Sequence, residues 1–370
     1  MTYFEEGLLT RSREFIRSGA GTGNGVFERP ALIAYHGDGD GCASAYFVKK
    51  FLKTPSLLYW VATPDFDFEE AELFVLQHHP VLAIFLDMPV YNRLSMIQRL
   101  LDQGTKVFIY DHHYSGRSFS FEENDRNLLY INPLMTSGAR AYPTCLFGWE
   151  LLSEKAFLEE QVLYMGLYTE SWLDRVSLFH EFSPQLRENL KEIARRIHSS
   201  FLVREAGTVH RAVDFLLRSS ESHTSLDARP YDSQEYQALA DRYMLIQNEK
   251  IALIGGVEAV VRRLLHPRYI ISGIESEIRL CGLIASELRW KHPRLAVGIW
   301  QKWKDRLVCE LRRGMESQVN LALLVERIKS EIPLVTGGGH PEAAAFVGVE
   351  SRFFLALRKM RDLLTQGFQE

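Results

Sequence analysis

"FIYDHHYSG", residues 108–116, decides the fold of this chain. A strand-like apolar and aromatic run, beginning at Lys106, ends without a break in Asp111, His112 and His113. Such an ending can be an ordinary solvated turn. It can equally be the wall of a metal site, because neutral imidazole and carboxylate are the usual ligands for first-row divalent cations. The segments on either side of it decide between the two.

Short runs rich in β-branched and aromatic residues recur through the first half: "ALIAYH" (31–36), "SLLYWVAT" (56–63), "VLAIFLD" (81–87), "KVFIYD" (106–111) and "NLLYIN" (127–132). Their near-continuous hydrophobicity suits strands buried on both faces, as in a parallel sheet. Amphipathic stretches lie between them, at 67–79 and 91–104. In the second of these Leu94, Ile97 and Leu101 share one face and Gly104 is placed to cap the C-terminus. Residues 145–168 and 184–218 read as helices, the latter interrupted near Gly207. A polar stretch (218–234) has loop composition, and a further helical segment covers 234–254. From about 268 strand signals return in "RYIISGI", "RLAVGIW" and "RLVCELRR", and "FFLALRKMRDLL" closes as a helix. The pattern predicts an α/β protein: an open, mainly parallel, doubly wound sheet joined by a helical linker to a smaller α/β domain. The expected limits are 1–180, 181–265 and 266–370.

Composition narrows the function classes. At 370 residues, with 46% hydrophobic and 24% charged residues, two globular domains are expected. The N-terminus has no apolar h-region and no run approaches a membrane span, so a cytoplasmic location off the membrane is expected. The four scattered cysteines (Cys42, Cys145, Cys281, Cys309) fit free thiols better than a disulfide or zinc framework. A net charge of −4 lacks the basic field of a protein that tracks long nucleic acids, so a nucleic-acid substrate should be short or held by local patches.

The acidic residues fall where ligands bind. The first strand runs into "HGDGDG", with His36, Asp38 and Asp40; the third ends in Asp87; the fourth ends in Asp111, His112 and His113. The carboxyl ends of strands in an open parallel sheet line one crevice. Carboxylates converging there raise one another's pKa unless cations compensate. A dinuclear site bridged by Asp87, with ions roughly 3.5–4 Å apart, meets that need. "DGDG" alone is a common turn composition. Read as a calcium loop it fails, because aligning Gly41 with the invariant glycine puts His36 first and Phe47 at the position of the bidentate Glu.

The order DxDG (38–41), a strand-final Asp (87) and DHH (111–113), with "GGGHPEAA" (337–344) far downstream, resembles the DHH phosphoesterase superfamily with its C-terminal GGGH domain. The resemblance implies a hydrolase with two Mn²⁺-type ions, Mg²⁺ or Co²⁺ being alternatives. On matching motif positions Asp38 and Asp40 would bind one metal each, Asp87 would bridge, and His112 would bind the second ion. Asp111 would orient the ligands, His113 would sit toward the scissile phosphate, and His36 is a further candidate ligand. The fourth motif departs from the pattern: "MGLYTESWLD" offers Glu170 at the expected spacing from Gly166, with Asp174 one turn later. Either is a candidate ligand.

In the second domain Gly337, Gly338 and Gly339 would let backbone approach a phosphate, and "HPEAAAF" is expected to start a helix whose N-terminus favours anions. The resemblance gives His340 and Arg312 a grip on substrate phosphates; by themselves Arg312 and Arg313 read as a solvated strand end. "RWKHPRLAVGIWQKWKDR" (289–306) mixes basic and aromatic residues, and Trp300 is expected in the core of the small domain. The implied activity is metal-dependent hydrolysis of phosphodiesters in short oligonucleotides or linear dinucleotides. The alternatives are a single-strand exonuclease of the RecJ kind and a non-catalytic, nucleic-acid-binding or regulatory relative. Oligomeric state is not encoded in any motif.

Overall fold

The structure, a computed structural model, describes residues 3–20, 29–61, 68–90, 93–113, 126–135, 142–200, 202, 206–221, 226, 234–264 and 268–368. The chain divides into two compact units, the first built on Met1–His112 and Phe119–Tyr243 and the second on His113–Ser118 and Met244–Glu370.

The first unit is organised by β1 (Ala31–His36), β2 (Ser56–Val61), β3 (Leu82–Leu86), β4 (Lys106–Tyr110) and β5 (Leu128–Ile131). They form one parallel sheet in the order β2-β1-β3-β4-β5. Alternate residues serve its two faces. Leu32, Ala34, Ala83, Phe85, Val107 and Ile109 pack on one side with Val75 of α3 (Phe68–His78) and with Met96, Ile97, Leu100 and Leu101 of α4 (Leu94–Asp102). On the other side Phe147 of α5 (Thr144–Leu151) stacks on Tyr110 and Phe108, with ring centroids 4.2 and 5.9 Å apart. Here also lie α1 (Glu6–Ala20), a helix not anticipated from sequence, and α2 (Gly39–Leu52). The sheet is thus doubly wound, as expected. Gly104 follows α4 at φ +73°, a left-handed value suited to the end of a helix. Leu94 is exposed rather than buried, because the inward face of α4 is set by Met96, Ile97, Leu100 and Leu101.

Helix α2 is buried on nearly every side, between the sheet and α5, α6 (Phe157–Thr169), α7 (Pro184–Ser200) and α8 (Ala206–Glu221). Its small and apolar residues, CASAYFV, suit such an all-round burial. The next helix, α9 (Gln234–Leu264), extends ten residues beyond the predicted 254. Most of the polar stretch 218–234 lies outside the described residues, as do residues 62–63 of the second predicted strand. Because β2 and β3 flank β1 on opposite sides, the sheet order reverses between β1 and β3, which places the topological switch point at the ends of those two strands.

The second unit carries a mixed sheet of β6 (Tyr269–Ile274), β7 (Ala296–Trp303), β8 (Arg306–Arg313), β9 (Thr336–His340) and β10 (Ala343–Gly348), in the order β6-β7-β8-β10-β9. Only β6 and β7 pair in parallel. Helix α10 (Cys281–Lys291) packs against β7 and β8. On the opposite face α11 (Leu321–Glu331) and α12 (Glu350–Gln366) bury Leu324, Val325, Phe353, Leu357 and Met360 against Leu311, Cys309 and Phe346. Trp300 meets Phe353 edge-on at 5.9 Å and packs against this core, as expected. The predicted helix after GGGH is absent: residues 343–348 are strand β10, paired with both β8 and β9. Two ladders of backbone hydrogen bonds override the helical preference of three successive alanines. Among the described residues no helix is long and apolar enough to cross a membrane.

Candidate metal centre

The site is built where three neighbouring strands end. Strand β1 finishes at His36, and Asp38 then caps α2 from an extended backbone, its Oδ1 accepting the Gly41 N–H at 2.9 Å. A side chain at Gly41 would put its Cβ 2.0 Å from the His36 carbonyl oxygen, so only glycine fits that close approach. Asp40, in the first turn of α2, is fully buried. Its two oxygens accept the backbone N–H groups of Thr144 (2.9 Å) and Cys145 (2.8 Å). Pro143 brings no capping side chain to α5, so Asp40 satisfies two of that helix's first donors from 104 residues away.

Asp87 follows β3 with φ +59°, an uncommon value for a non-glycine residue, and its N–H donates to the Tyr110 carbonyl at 3.0 Å. Asp111 follows β4, is fully buried, and donates its N–H to the Ile131 carbonyl at 3.1 Å. His112 is buried and His113 partly so.

Asp87 joins the parts. Its Oδ2 lies 3.3 Å from His36 Nδ1, which is itself 3.2 Å from Asp38 Oδ2. The other oxygen, Oδ1, lies 2.9 Å from His112 Nε2, which is 3.9 Å from Asp40 Oδ2. The Thr144 hydroxyl donates to the same Oδ1 at 3.5 Å. Two groups result, His36–Asp38–Asp87 and Asp87–His112–His113, each with potential ligand atoms within 4.8 Å of one another. Asp87 belongs to both.

Crowded charge in a dry place perturbs Asp38, Asp40, Asp87, Glu170, His36 and His112. Burial pushes Asp40 up, Asp87 adds to the effect, and with His112 opposing them its pKa reaches about 7. Burial and then Asp40 raise Glu170 to about 8, again against His112. Burial alone would lower His112, but its hydrogen bond to Asp87 carries it up to about 10. For His36, burial is likewise outweighed by Asp38 and Asp87, and its pKa lies well above the ordinary imidazole value. Asp87 is held far below the usual carboxylate range: burial opposes this, and the two histidines prevail. Asp38 is lowered against burial by His36, with a smaller contribution from His198. Burial keeps the Cys42 and Cys145 thiols well above their ordinary values, reinforced by Asp38 and Asp40 respectively.

Of the two candidates in the fourth motif, the fold draws Glu170 into this field. It follows the last residue of α6, whereas Asp174 is exposed on a 3₁₀ turn, Leu173–Arg175. Two neighbours escaped notice in the sequence: Thr144, described above, and His198 of α7, whose Nδ1 accepts the Gly39 N–H at 3.4 Å. Neither sits in a motif, and only the fold brings them beside Asp38 and Asp40.

In the second unit, Gly337–Gly339 and His340 lie on edge strand β9. Gly337 and Gly339 both take φ +147°, and a Cβ on either would strike the carbonyl of Ala345 or Ala343 at 2.1 or 2.3 Å. Glycine is therefore needed there for the hairpin itself. His340, Ala343 and Arg312 occupy one register row across β9, β10 and β8, and so share a face of the sheet. Arg312 is partly buried rather than a solvated strand end: its Nη1 lies 3.2 Å from Glu310 Oε2 and its Nε donates to Ser286 Oγ at 3.1 Å. Arg313 pairs with Glu342 at 3.2 Å.

No protein-family model and no curated protein matches the sequence. Solved structures do match it. An exonuclease RecJ bound to manganese superposes with a TM-score of 0.60 at 18% identity, over 99% of this chain and 96% of that one. The DHH domain of a member of a ribosomal-protein family gives 0.65 at 14% identity, over 99% and 92%. RecJ of Thermus thermophilus, in complex with Mn²⁺, gives 0.58 at 17% identity; 98% of this chain is covered, spanning 55% of that longer one. The parallel sheet, the mixed second sheet and these whole-length superpositions agree: the chain has the DHH-superfamily fold.

Proposed function

We propose that the chain is a metal-dependent phosphodiesterase that hydrolyses short oligonucleotides or linear dinucleotides. The observation that carries the reading is Asp87, one oxygen beside His36 and the other beside His112, shared between two potential ligand groups. The donor set fits two divalent cations of the Mn²⁺ type, with Mg²⁺ and Co²⁺ as alternatives. Asp38, Asp40, Asp87 and Glu170 offer hard oxygen ligands, and His36 and His112 offer imidazole nitrogens. The balance of charge fits as well. Without a cation the cluster is neutralised by protons, two carboxyls being raised to about 7 and 8 and both imidazoles raised. Two dications balance the same four carboxylates when every proton has left.

Bound there, the ions would activate water and stabilise charge at phosphorus. The chain's own part is positional. The backbone N–H groups of Thr144 and Cys145 fix Asp40, the Thr144 hydroxyl steadies Asp87, and Asp111 would orient His112 and His113. His113, less buried than His112, faces the phosphate. In the second unit Arg312, His340 and the edge-strand backbone of Gly337–Gly339 would form the grip for a phosphate or strand end remote from the scissile bond. Residues 1–180 would then carry catalysis, 181–265 the linker and 266–370 substrate binding.

A hydrolysis assay decides it. Purified protein stripped of metal should cleave bis-p-nitrophenyl phosphate and dinucleotides only after Mn²⁺ is added. Mn²⁺ binding without cleavage of any phosphodiester from dinucleotide to long single strand would replace the enzyme reading with the non-catalytic one.

A further inference from the structure

Helix α7 presents a cationic and aromatic patch beside the acidic cluster, and all of it lies within the first unit. Arg195 is exposed; its Nε donates to the phenol of Tyr168 at 2.9 Å and its guanidinium lies 5.4 Å from the centre of that ring. Tyr168 is partly exposed, next to Thr169, whose side chain fills the space a Cβ on Gly39 would need. Three residues along α7 from Arg195, on the same face, His198 holds the Gly39 N–H between Asp38 and Asp40. The patch therefore adjoins the cluster through Thr169 and His198. The flanking acids of α7 are engaged elsewhere: Glu188 pairs with Lys191 and Glu192 with Arg196.

A guanidinium held against a phenol combines the elements that hold a single strand, a cation for the phosphate and a π-face for a base. We propose that Arg195 and Tyr168 form a subsite for a nucleotide one step beyond those joined at the scissile phosphodiester, so that short single strands longer than a dinucleotide bind more tightly than the dinucleotide itself. The proposal rests on the phosphodiesterase reading above, and it reconciles the net charge of −4 with a nucleic-acid ligand, since the basic field is local.

The test is binding of fluorescein-labelled phosphorothioate oligothymidylates, from dimer to octamer, to the full-length protein loaded with Mn²⁺, followed by anisotropy at several salt concentrations. Wild type should bind strands longer than the dimer more tightly than the dimer. Arg195→Gln should weaken the longer strands about tenfold, the loss of one charge-assisted hydrogen bond. It should also make the slope of log K against log salt shallower by about 0.7, one phosphate contact on a single strand. Tyr168→Leu should weaken binding at least about fivefold through lost stacking, with the salt slope unchanged. Unchanged affinity and slope in Arg195→Gln would overturn the subsite. Hydrolysis of bis-p-nitrophenyl phosphate by wild type without length-dependent strand binding would overturn the subsite and leave the phosphodiesterase reading standing. Absence of both would overturn the two together.

Discussion

Each unit buries carboxylates, and each neutralises them differently. In the second unit Glu310 lies between Arg279, itself buried, and Arg312. Burial would raise Glu310, but the two guanidinium groups hold it below the ordinary carboxylate range. Guanidinium does not lose its proton, so this arrangement is permanent. In the acidic cluster of the first unit the counter-charges are imidazoles and protons shared among Asp40, Glu170, His36 and His112, and those protons can leave. A buried carboxylate facing arginine belongs to the framework. One facing histidine and retained protons can exchange them for a metal.

The contrast breaks first at Asp87. Asp87→Ala should cut Mn²⁺-dependent turnover at least about 10³-fold, some 4 kcal/mol of barrier. Calorimetric titration should show loss of both Mn²⁺ equivalents; one equivalent retained at unchanged affinity would mean that Asp87 does not bridge. On the framework side, Arg279→Met leaves Glu310 facing one cation fewer and should destabilise the second unit by about 3–5 kcal/mol. Hydrogen exchange in α10 and β8 reads this directly, with β1 and α2 unaffected. The double variant Arg279→Met/Glu310→Leu should recover most of the loss, because no unpaired charge then stays buried.

Glu170 lies between these extremes. Glu170→Gln should reduce turnover by about 10- to 100-fold, an amide being a poor ligand for a hard cation. Asp174→Asn, on an exposed turn, should stay within about twofold. A reversed ranking would move the ligand to Asp174.

The smallest effect is a pH dependence of opposite sign in the two units. Asp40 and Glu170 have raised pKa values in the folded state, so the unfolded chain holds fewer protons and stability falls as pH rises toward about 8. His112 is also raised, and its contribution, complete below the ordinary imidazole pKa, is lost as pH climbs toward about 10. Metal-free protein should therefore lose on the order of 1 kcal/mol between neutral and mildly alkaline pH, read by hydrogen exchange in β1 and α2. Added Mn²⁺ should reverse the trend, since its ligands bind deprotonated. Glu310 is lowered, so its contribution is present above the ordinary carboxylate pKa and is lost only as pH falls through the folded value. The second unit should be flat over the alkaline window.

Much of the first unit was legible in the sequence because its three central strands, β1, β3 and β4, are buried on both faces and read as unbroken apolar runs. Strands of one parallel sheet must end along one edge, and that alone brings His36, Asp38, Asp40, Asp87 and His112 together. Residues that act through backbone or at a distance were not legible. Thr144 meets Asp40 across 104 residues and His198 meets Gly39 across 159, with no local pattern to announce either contact. In α4 two residues of the face read from sequence, Ile97 and Leu101, are buried together with Met96 and Leu100, whereas Leu94 in the first turn is exposed. The hairpin of β9 and β10 defeated local reading, because a glycine triplet before alanines resembles a helix start until the two flanking ladders are known.

The capping of α5 by Asp40 also dictates the order of assembly during synthesis. Residues 31–40 leave the ribosome more than a hundred residues before Thr144 and Cys145, whose amides hold Asp40 in place. At about 5–20 residues per second the nascent acidic turn waits at least several seconds for its partner helix, and α6, with Glu170 behind it, comes later still. Cations met in that interval find separate carboxylates rather than a finished site. A metal held at the proposed centre would therefore be acquired only after these segments have joined.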